Sequence, residues 1–403
     1  MNNTNIKNIK KTQLIVFLSC LAVTCTQAGI VMYTPSIPTL IAIFKTSYSG
    51  IAHTLTAYIL GYAASVLILG GISDQIGVKK SYLITTAIFL VSSMALAITH
   101  QIDLFIFLRF LQGIGGGGCA VIARTSARTV FSKKELVKAM SWISISFVLS
   151  MGIFQYIGGL IQTFGNYRYD FLIMSLLGMI IFTLIILFFN DRDDIIKKSL
   201  DIKQLSKNYL FILKQNHLLP FAIGGGLGYS VLLAFNILGV YYLHTQLHIS
   251  AHQIGIIGII FSIAYLLGSF LTNKLIRVMD INALISLAKK IILFSVILFF
   301  SGILFEKNSL LTIIFPLSIN LIGQALLYPC AMTKALEPYE KLPGSATALF
   351  GFIQQFFGFL TSLLIAQLPN QSIFSLGFVI ALTCLLSWIL LSKSFLHQKS
   401  EMH

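Results

Sequence analysis

Apolar stretches of roughly 18 to 25 residues recur along this chain, each long enough at about 1.5 Å per residue to cross a hydrocarbon layer of about 30 Å. About twelve are legible, at residues 13–41, 51–72, 81–99, 104–125, 136–163, 170–189, 220–242, 252–273, 283–304, 310–333, 345–367 and 372–392. Lipid offers no partner for a backbone amide or carbonyl, so each span is expected to be a helix that satisfies its own backbone. The composition agrees. Of the 403 residues 56% are hydrophobic and 10% charged, with a mean hydropathy of +0.87, whereas a soluble domain carries about 25% charged residues.

A net charge of +15 would suggest nucleic acid in a soluble chain, so the placement of the charges decides its meaning. With the N-terminus taken as cytoplasmic, about 24 of the 28 Lys and Arg fall in or beside cytoplasmic segments. These are Lys7, Lys10 and Lys11; Lys79 and Lys80; Arg124 to Lys138; Arg192 to Lys214; Lys274 to Lys290; Lys334 and Lys341; and the tail. Lys45, Arg168 and Lys307 fall on the far side, and Arg109 lies inside a span. The asymmetry predicts a multi-pass inner (plasma) membrane protein with both termini cytoplasmic, and no nucleic-acid partner. The first span is too long for a signal peptide and lacks a cleavage site, so it is read as retained. Cys20, Cys25, Cys119, Cys330 and Cys384 all fall inside spans without metal-ligand spacing and read as small packing residues.

The longest polar stretch, Asn190 to His217, divides six spans from six. It predicts an N-terminal six-helix bundle over 1–189, a partly helical cytoplasmic linker over 190–218 and a C-terminal six-helix bundle over 219–403. A weak internal echo supports duplication. "GGISDQIGVKK" ends the second span and "GSFLTNKLIRVMD" the eighth, each with a glycine, then a polar residue, then cations.

In the first of these, Gly70, Asp74, Gly77 and Lys79 fit the spacing G-x-x-x-D-x-x-G-x-K. Glycines permit a tight turn and close helix approach, and a carboxylate at the membrane edge can pair with cations or a helix N-terminus. The stretch resembles the loop between helices two and three of the major facilitator superfamily, with Gln75 and Val78 where two arginines are usual. The resemblance implies a latch between the two halves on the cytoplasmic side; an ordinary interfacial turn is the plainer reading. "FLRFLQGIGGGG" in the fourth span resembles the family's R-x-x-Q-G pattern through Arg109, Gln112 and Gly113, which implies a role in conformational or proton coupling. An arginine in a span costs roughly 2.5 to 3.5 kcal/mol and is a functional candidate by default; the alternative is that it snorkels to the nearby outer surface. The formal G-x-G-x-x-G at Gly113, Gly115 and Gly118 has no βαβ context for a nucleotide. Gly113 with Gly117 reads better as a small-residue face for a neighbouring helix.

"NLIGQALLYPCAMTKALEPYEKLPGSATALFGFIQQFFG", Asn320 to Gly358, looks like helices ten and eleven of the drug:proton antiporters, especially the bicyclomycin and chloramphenicol resistance branch. "MYTPSIP" (Met32 to Pro38) and "FGNYRYDF" (Phe164 to Phe171) resemble the same branch. The implied fold is all-α, twelve transmembrane helices in two pseudo-symmetric six-helix bundles, and the implied activity is transport by alternating access, not enzymatic, with no cofactor. Two departures stand out: Val31 replaces an aspartate usual in the first helix, and Gln155 a proline usual in the fifth.

Proton coupling usually needs a titratable group in the path, yet no Asp or Glu falls mid-span: Asp103 and Asp170 lie at outer ends, Asp74, Glu337 and Glu340 at inner ones. His53 near an outer end is the weak substitute. His244, His248 and His252 have metal-ligand spacing only if one helix carries all three, and Ser250 reads as an N-cap that breaks it, so no metal site is expected. A pairing of Arg109 with Asp103 is disfavoured by their six-residue separation. Candidate cavity residues are Gln27, Tyr58, Tyr62, Gln155, Asn236, Asn320, Gln324, Gln354 and Gln355, uncharged groups suited to an amphipathic, neutral or weakly charged solute or equally to gluing helices together. The expected partners are a small organic substrate, protons and the bilayer, with the chain working as a monomer. Proton-driven efflux of drugs or metabolites leads; uptake or export of a specific metabolite or siderophore is the alternative. A non-transporting receptor or embedded enzyme lacks the large extramembrane domain or clustered nucleophiles it would need.

Overall fold

A computed structural model describes residues 3–131, 133–189, 202–305, 309–339, 342–368 and 372–400. All its elements are helical: α1 (Asn3–Val31), α2 (Ile37–Phe44), α3 (Tyr48–Ile76), α4 (Val78–Ile98), α5 (Ile102–Val130), α6 (Lys133–Gln162), α7 (Arg168–Phe188), α8 (Ile202–Lys214), α9 (Leu218–Ala234), α10 (Val240–Thr245), α11 (Ala251–Leu275), α12 (Ile281–Phe305), α13 (Leu311–Leu336), α14 (Pro343–Gln367) and α15 (Ile373–Ser400). Among the described residues twelve candidate membrane spans are long and apolar enough to cross a bilayer. Glu340, Lys341 and linker residues 190–201 lie outside the described residues.

Two spans are composite. The first is interrupted by a short 3-10 turn, Thr34–Ser36, between α1 and α2. Pro35 and Pro38 sit at early helical positions where the missing N–H costs nothing, so the chain can restart there. The seventh passes through a π turn, Phe235–Gly239, between α9 and α10, which places Asn236 at the irregularity.

Helices α1 to α7 pack chiefly on one another, and α9 to α15 do likewise. Contact between the two groups runs along α3 against α14 and α6 against α11, with α10 touching α2. Helices α4, α7, α12 and α15 turn large apolar side chains outward, among them Val91, Met179, Ile297 and Phe378, as lipid-facing helices should. Helix α8 is pinned to both groups: the Tyr209 hydroxyl donates to Leu67 O at 3.1 Å, and Tyr339 donates to Ile212 O at 3.4 Å.

Gly77 shows why the first motif needs its glycine. It closes α3 and opens α4 at φ 88°, ψ 155°, a conformation closed to a residue with a Cβ. Ser250 caps α11 in a reciprocal capping box with Gln253. His248 stands before it at φ 53°, so His244, His248 and His252 are not carried by one continuous helix.

Candidate functional site

The core of the first group is built around Arg109. Gly113 lies one turn further along α5, where a Cβ would stand 2.8 Å from the carbonyl carbon and 3.0 Å from the Cα of Tyr58. Glycine there lets α5 and α3 meet backbone to backbone, and the contact brings the Tyr58 ring over the arginine. The Arg109 guanidinium carbon lies 4.2 Å from the Tyr33 centroid and 4.6 Å from that of Tyr58. One guanidinium nitrogen donates to Gly29 O at 2.7 Å and another to Gln112 Oε1. Gln112 passes the connection on through Nε2 to Ser93 Oγ, 2.7 Å away. Arg109 is fully buried, so it does not snorkel; Asp103 is exposed and does not reach it. Lys334 and Glu337 form an ion pair at 2.9 Å in the second group, away from this arginine. A buried cation held by rings and a carbonyl, without a carboxylate, is costly to keep and responds strongly to any nearby change of charge.

The faces where the two groups meet are lined with uncharged polar side chains. Gln155 Nε2 donates to Asn236 Oδ1 at 3.3 Å, and Thr56 Oγ1 lies 2.5 Å from Ser362 Oγ. Tyr328 donates to Gln354 Oε1 at 3.1 Å. Tyr62 lies against Arg124. Several buried polar atoms have no partner: Gln27 Oε1, Tyr229 Oη, both amide atoms of Gln324, and Gln355 Oε1. Such atoms are costly unless something occupies them. Asn320 behaves differently. Its amide donates to Ser295 Oγ at 2.9 Å and toward Cys384 Sγ, which ties α13 to α12 and α15 within the second group rather than facing the first.

Of the motif at the end of α3, Gly70 and Asp74 fall within that helix, and their side chains lie outside the described residues. Lys79 Nζ donates to Ile186 O at 3.2 Å, in the last turn of α7, where a cation meets free helix carbonyls.

Four residues not singled out as site candidates from the sequence complete the picture. Asp170, expected at an interface, is fully buried; its Oδ2 lies 2.7 Å from Ser36 Oγ and its Oδ1 has no partner. Tyr229 and the Thr56–Ser362 pair also escaped the reading, because a Tyr, Thr or Ser in a span is ordinary until its neighbours are known.

The comparisons with known proteins accord with this geometry. The sequence profile of the Major Facilitator Superfamily matches residues 19–362. The chain is 25% identical over 378 residues to a Haemophilus influenzae protein named "Bicyclomycin resistance protein homolog", covering 91% of this chain and 93% of that one. It is 26% identical to "Multidrug resistance protein D" of Escherichia coli, over 95% and 97% of the two chains. Among solved structures, a D-xylose-proton symporter superposes with a TM-score of 0.75 at 14% identity, covering 94% of this chain and 97% of that one, and a nucleoside transporter with 0.72 at 15%, covering 96% and 99%. Twelve spans in two packed groups, a buried arginine in the R-x-x-Q-G segment and a family match over most of the length make this chain a secondary transporter of the major facilitator superfamily.

Proposed function

We propose that this transporter exports a small amphipathic organic molecule, a drug or a metabolite, across a bacterial inner membrane in exchange for protons. The observation that carries the reading is the set of buried polar atoms without partners on Gln27, Tyr229, Gln324 and Gln355. They are uncharged donors and acceptors on α1, α9, α13 and α14, the kind of group suited to a neutral or weakly charged solute. The names of the relatives as resistance proteins support efflux. In this reading the end of the molecule bearing Gly77, Lys79 and Lys334 faces the cytoplasm, and both termini lie there. The segments 1–189 and 219–403 rock as units joined by 190–218. Gln27, Tyr58, Tyr62, Gln155, Asn236, Gln324, Gln354 and Gln355 contribute to the solute path, while Asn320 acts as helix glue. Gly70, Asp74, Gly77 and Lys79 form the cytoplasmic latch, and Arg109 with Gln112 and Gly113 links occupancy to conformation.

Val31 is buried and apolar where the branch carries a carboxylate, and this favours the rival reading, passage of a specific metabolite or siderophore. Proteoliposomes loaded with chloramphenicol decide between them. Efflux accelerated by an imposed pH gradient, and lost in Arg109→Ala and Asp74→Asn, supports proton-coupled export. Flux indifferent to the gradient removes the proton, and no chloramphenicol movement with uptake of ferric siderophore favours the rival.

A further inference from the structure

Asp170 occupies the third position of α7 and is fully buried. Its setting poses a problem of counting protons. Ser36 Oγ lies 2.7 Å from Asp170 Oδ2 and 2.9 Å from Gln162 Oε1, and Gln162 Nε2 in turn donates to Thr39 Oγ1 at 2.5 Å. A serine hydroxyl has one proton, whereas a carboxylate oxygen and an amide oxygen are both acceptors. Two acceptors on one hydroxyl are reconciled if Asp170 itself carries a proton. The carboxyl then donates to Ser36, Ser36 to Gln162, and Gln162 to Thr39, all in one direction. Removing that proton reverses the order. Ser36 must donate to the carboxylate, and Gln162 must turn its amide so that Nε2 donates to Ser36 and Oε1 accepts from Thr39.

No cation compensates an ionised Asp170. Near this end of the first group the charged and titratable side chains include Tyr33, Lys45, Tyr48, His53, His100, Asp103, Arg109, Tyr156, Tyr167, Arg168 and Tyr169; His53 meets Ser49, Tyr48 packs on Tyr241 and Tyr169 is exposed. Arg109 is engaged by Gly29, Gln112 and the rings of Tyr33 and Tyr58. Arg168 donates to Ala97 O and lies on His100. The Tyr33 hydroxyl meets Thr54, that of Tyr167 donates to Thr99 O, and Tyr156 packs on His252. Lys45 and Asp103 are exposed. None forms an ion pair with Asp170 among the described residues. Desolvation without a counter-charge disfavours the carboxylate.

Resting on the proton-coupled reading above, we propose that Asp170 is the proton-binding site of this transporter, and that Ser36, Gln162 and Thr39 reorient their hydrogen bonds with its protonation. Gln162 and Thr39 are partly exposed at the end opposite the basic loops, so the buried carboxyl stands two hydrogen bonds from that surface. The step is a proton transfer alone: a carboxylate oxygen takes a proton from water on that side and becomes a neutral acid. Its consequence follows from where Ser36 sits. Ser36 ends the 3-10 turn that interrupts the first span, and that turn packs against α6 and against α11 of the second group. Tyr33, immediately before the turn, forms one face of the Arg109 site. Reversing the hydrogen-bond chain therefore acts on the contact between the two groups and on the buried arginine together. The missing carboxylate at Val31 is replaced from a different helix that meets the same segment.

The test uses the full chain in nanodiscs with its five cysteines replaced and spin labels at Lys45→Cys and Ser250→Cys, exposed positions on the two groups at this end. The label separation is read by double electron–electron resonance from acid to alkaline pH. The expected result is a separation that shifts with pH in the parent, loses the shift in Asp170→Asn with the acid-state distance retained, and regains it with a displaced midpoint in Asp170→Glu. A parent without a shift, or an Asp170→Asn protein that shifts like the parent, overturns the assignment. If Asp170→Asn fails to fold, Ser36→Ala replaces it; a displaced midpoint supports the site, and an unchanged one overturns it. Chloramphenicol flux under a pH gradient is measured on the parent separately. Flux that ignores the gradient defeats proton-coupled export, while the label separations still decide whether Asp170 binds a proton that changes conformation.

Discussion

The guanidinium carbon of Arg109 lies 4.2 Å from the centroid of the Tyr33 ring, while the same side chain donates to the carbonyl of Gly29 four residues earlier on the first span. One buried cation thus grips the segment just before that span breaks. Because no carboxylate balances it, the arginine is an expense in stability that a neutral side chain of similar volume would avoid. Arg109→Met is expected to melt within about 1 kcal/mol of wild type or above it, while chloramphenicol flux falls at least about tenfold, the equivalent of about 1.4 kcal/mol. Melting curves and flux on the same preparation check this. A collapse in stability matching the loss of flux would reassign Arg109 to structure.

Gly113 and Gly344 make a controlled pair. A Cβ at Gly113 meets the backbone of Tyr58, which cannot move without displacing α3, whereas nothing lies within 4 Å of a Cβ at Gly344. Gly113→Ala should cost about 1–3 kcal/mol as overpacking, and Gly344→Ala should stay within about 0.5 kcal/mol. Thermal unfolding in detergent separates them.

The hydroxyl oxygens of Thr56 and Ser362 lie 2.5 Å apart across the two groups. Paired cysteines there, in a background without the native ones, should oxidise readily, since a disulfide requires close Cβ atoms and an S–S bond of about 2.05 Å. The cross-link should arrest chloramphenicol flux, and dithiothreitol should restore it. Cross-linking with full flux would mean that this contact persists throughout the cycle.

Tyr209 anchors α8 to Leu67, and burial pushes its hydroxyl up to about 12. The unfolded reference is about 10, so the neutral form is favoured when α8 is docked. The resulting stabilisation is complete below about pH 10 and is lost as the pH rises toward about 12. Limited proteolysis of the linker should therefore be flat through neutral pH and rise in that alkaline window. Tyr209→Phe should remove the rise attributable to this group, and an identical rise in that variant would exclude it.

Much of the candidate site was legible residue by residue but not as a set. Ser250 as an N-cap and Gly77 as a turn followed from local backbone chemistry, which is written in a few adjacent residues. Asn320 and Gln155 looked alike in the sequence, each an amide in an apolar span, yet one ties α13 to α12 and the other reaches Asn236 across the two groups. Asp170 looked interfacial by its distance from a span end and proved fully buried, because the broken first span folds over it and presents Ser36.

By itself the sequence determined the number of membrane spans and their approximate limits, because lipid imposes length and apolarity on every span whatever its neighbours. Only the tertiary structure decided how each helix is turned about its axis, and with it which polar groups meet. A helix apolar on all sides carries no stripe that says which face is inward. That choice falls to contacts between distant segments, such as Gly113 on the backbone of Tyr58 and Ser36 on Asp170.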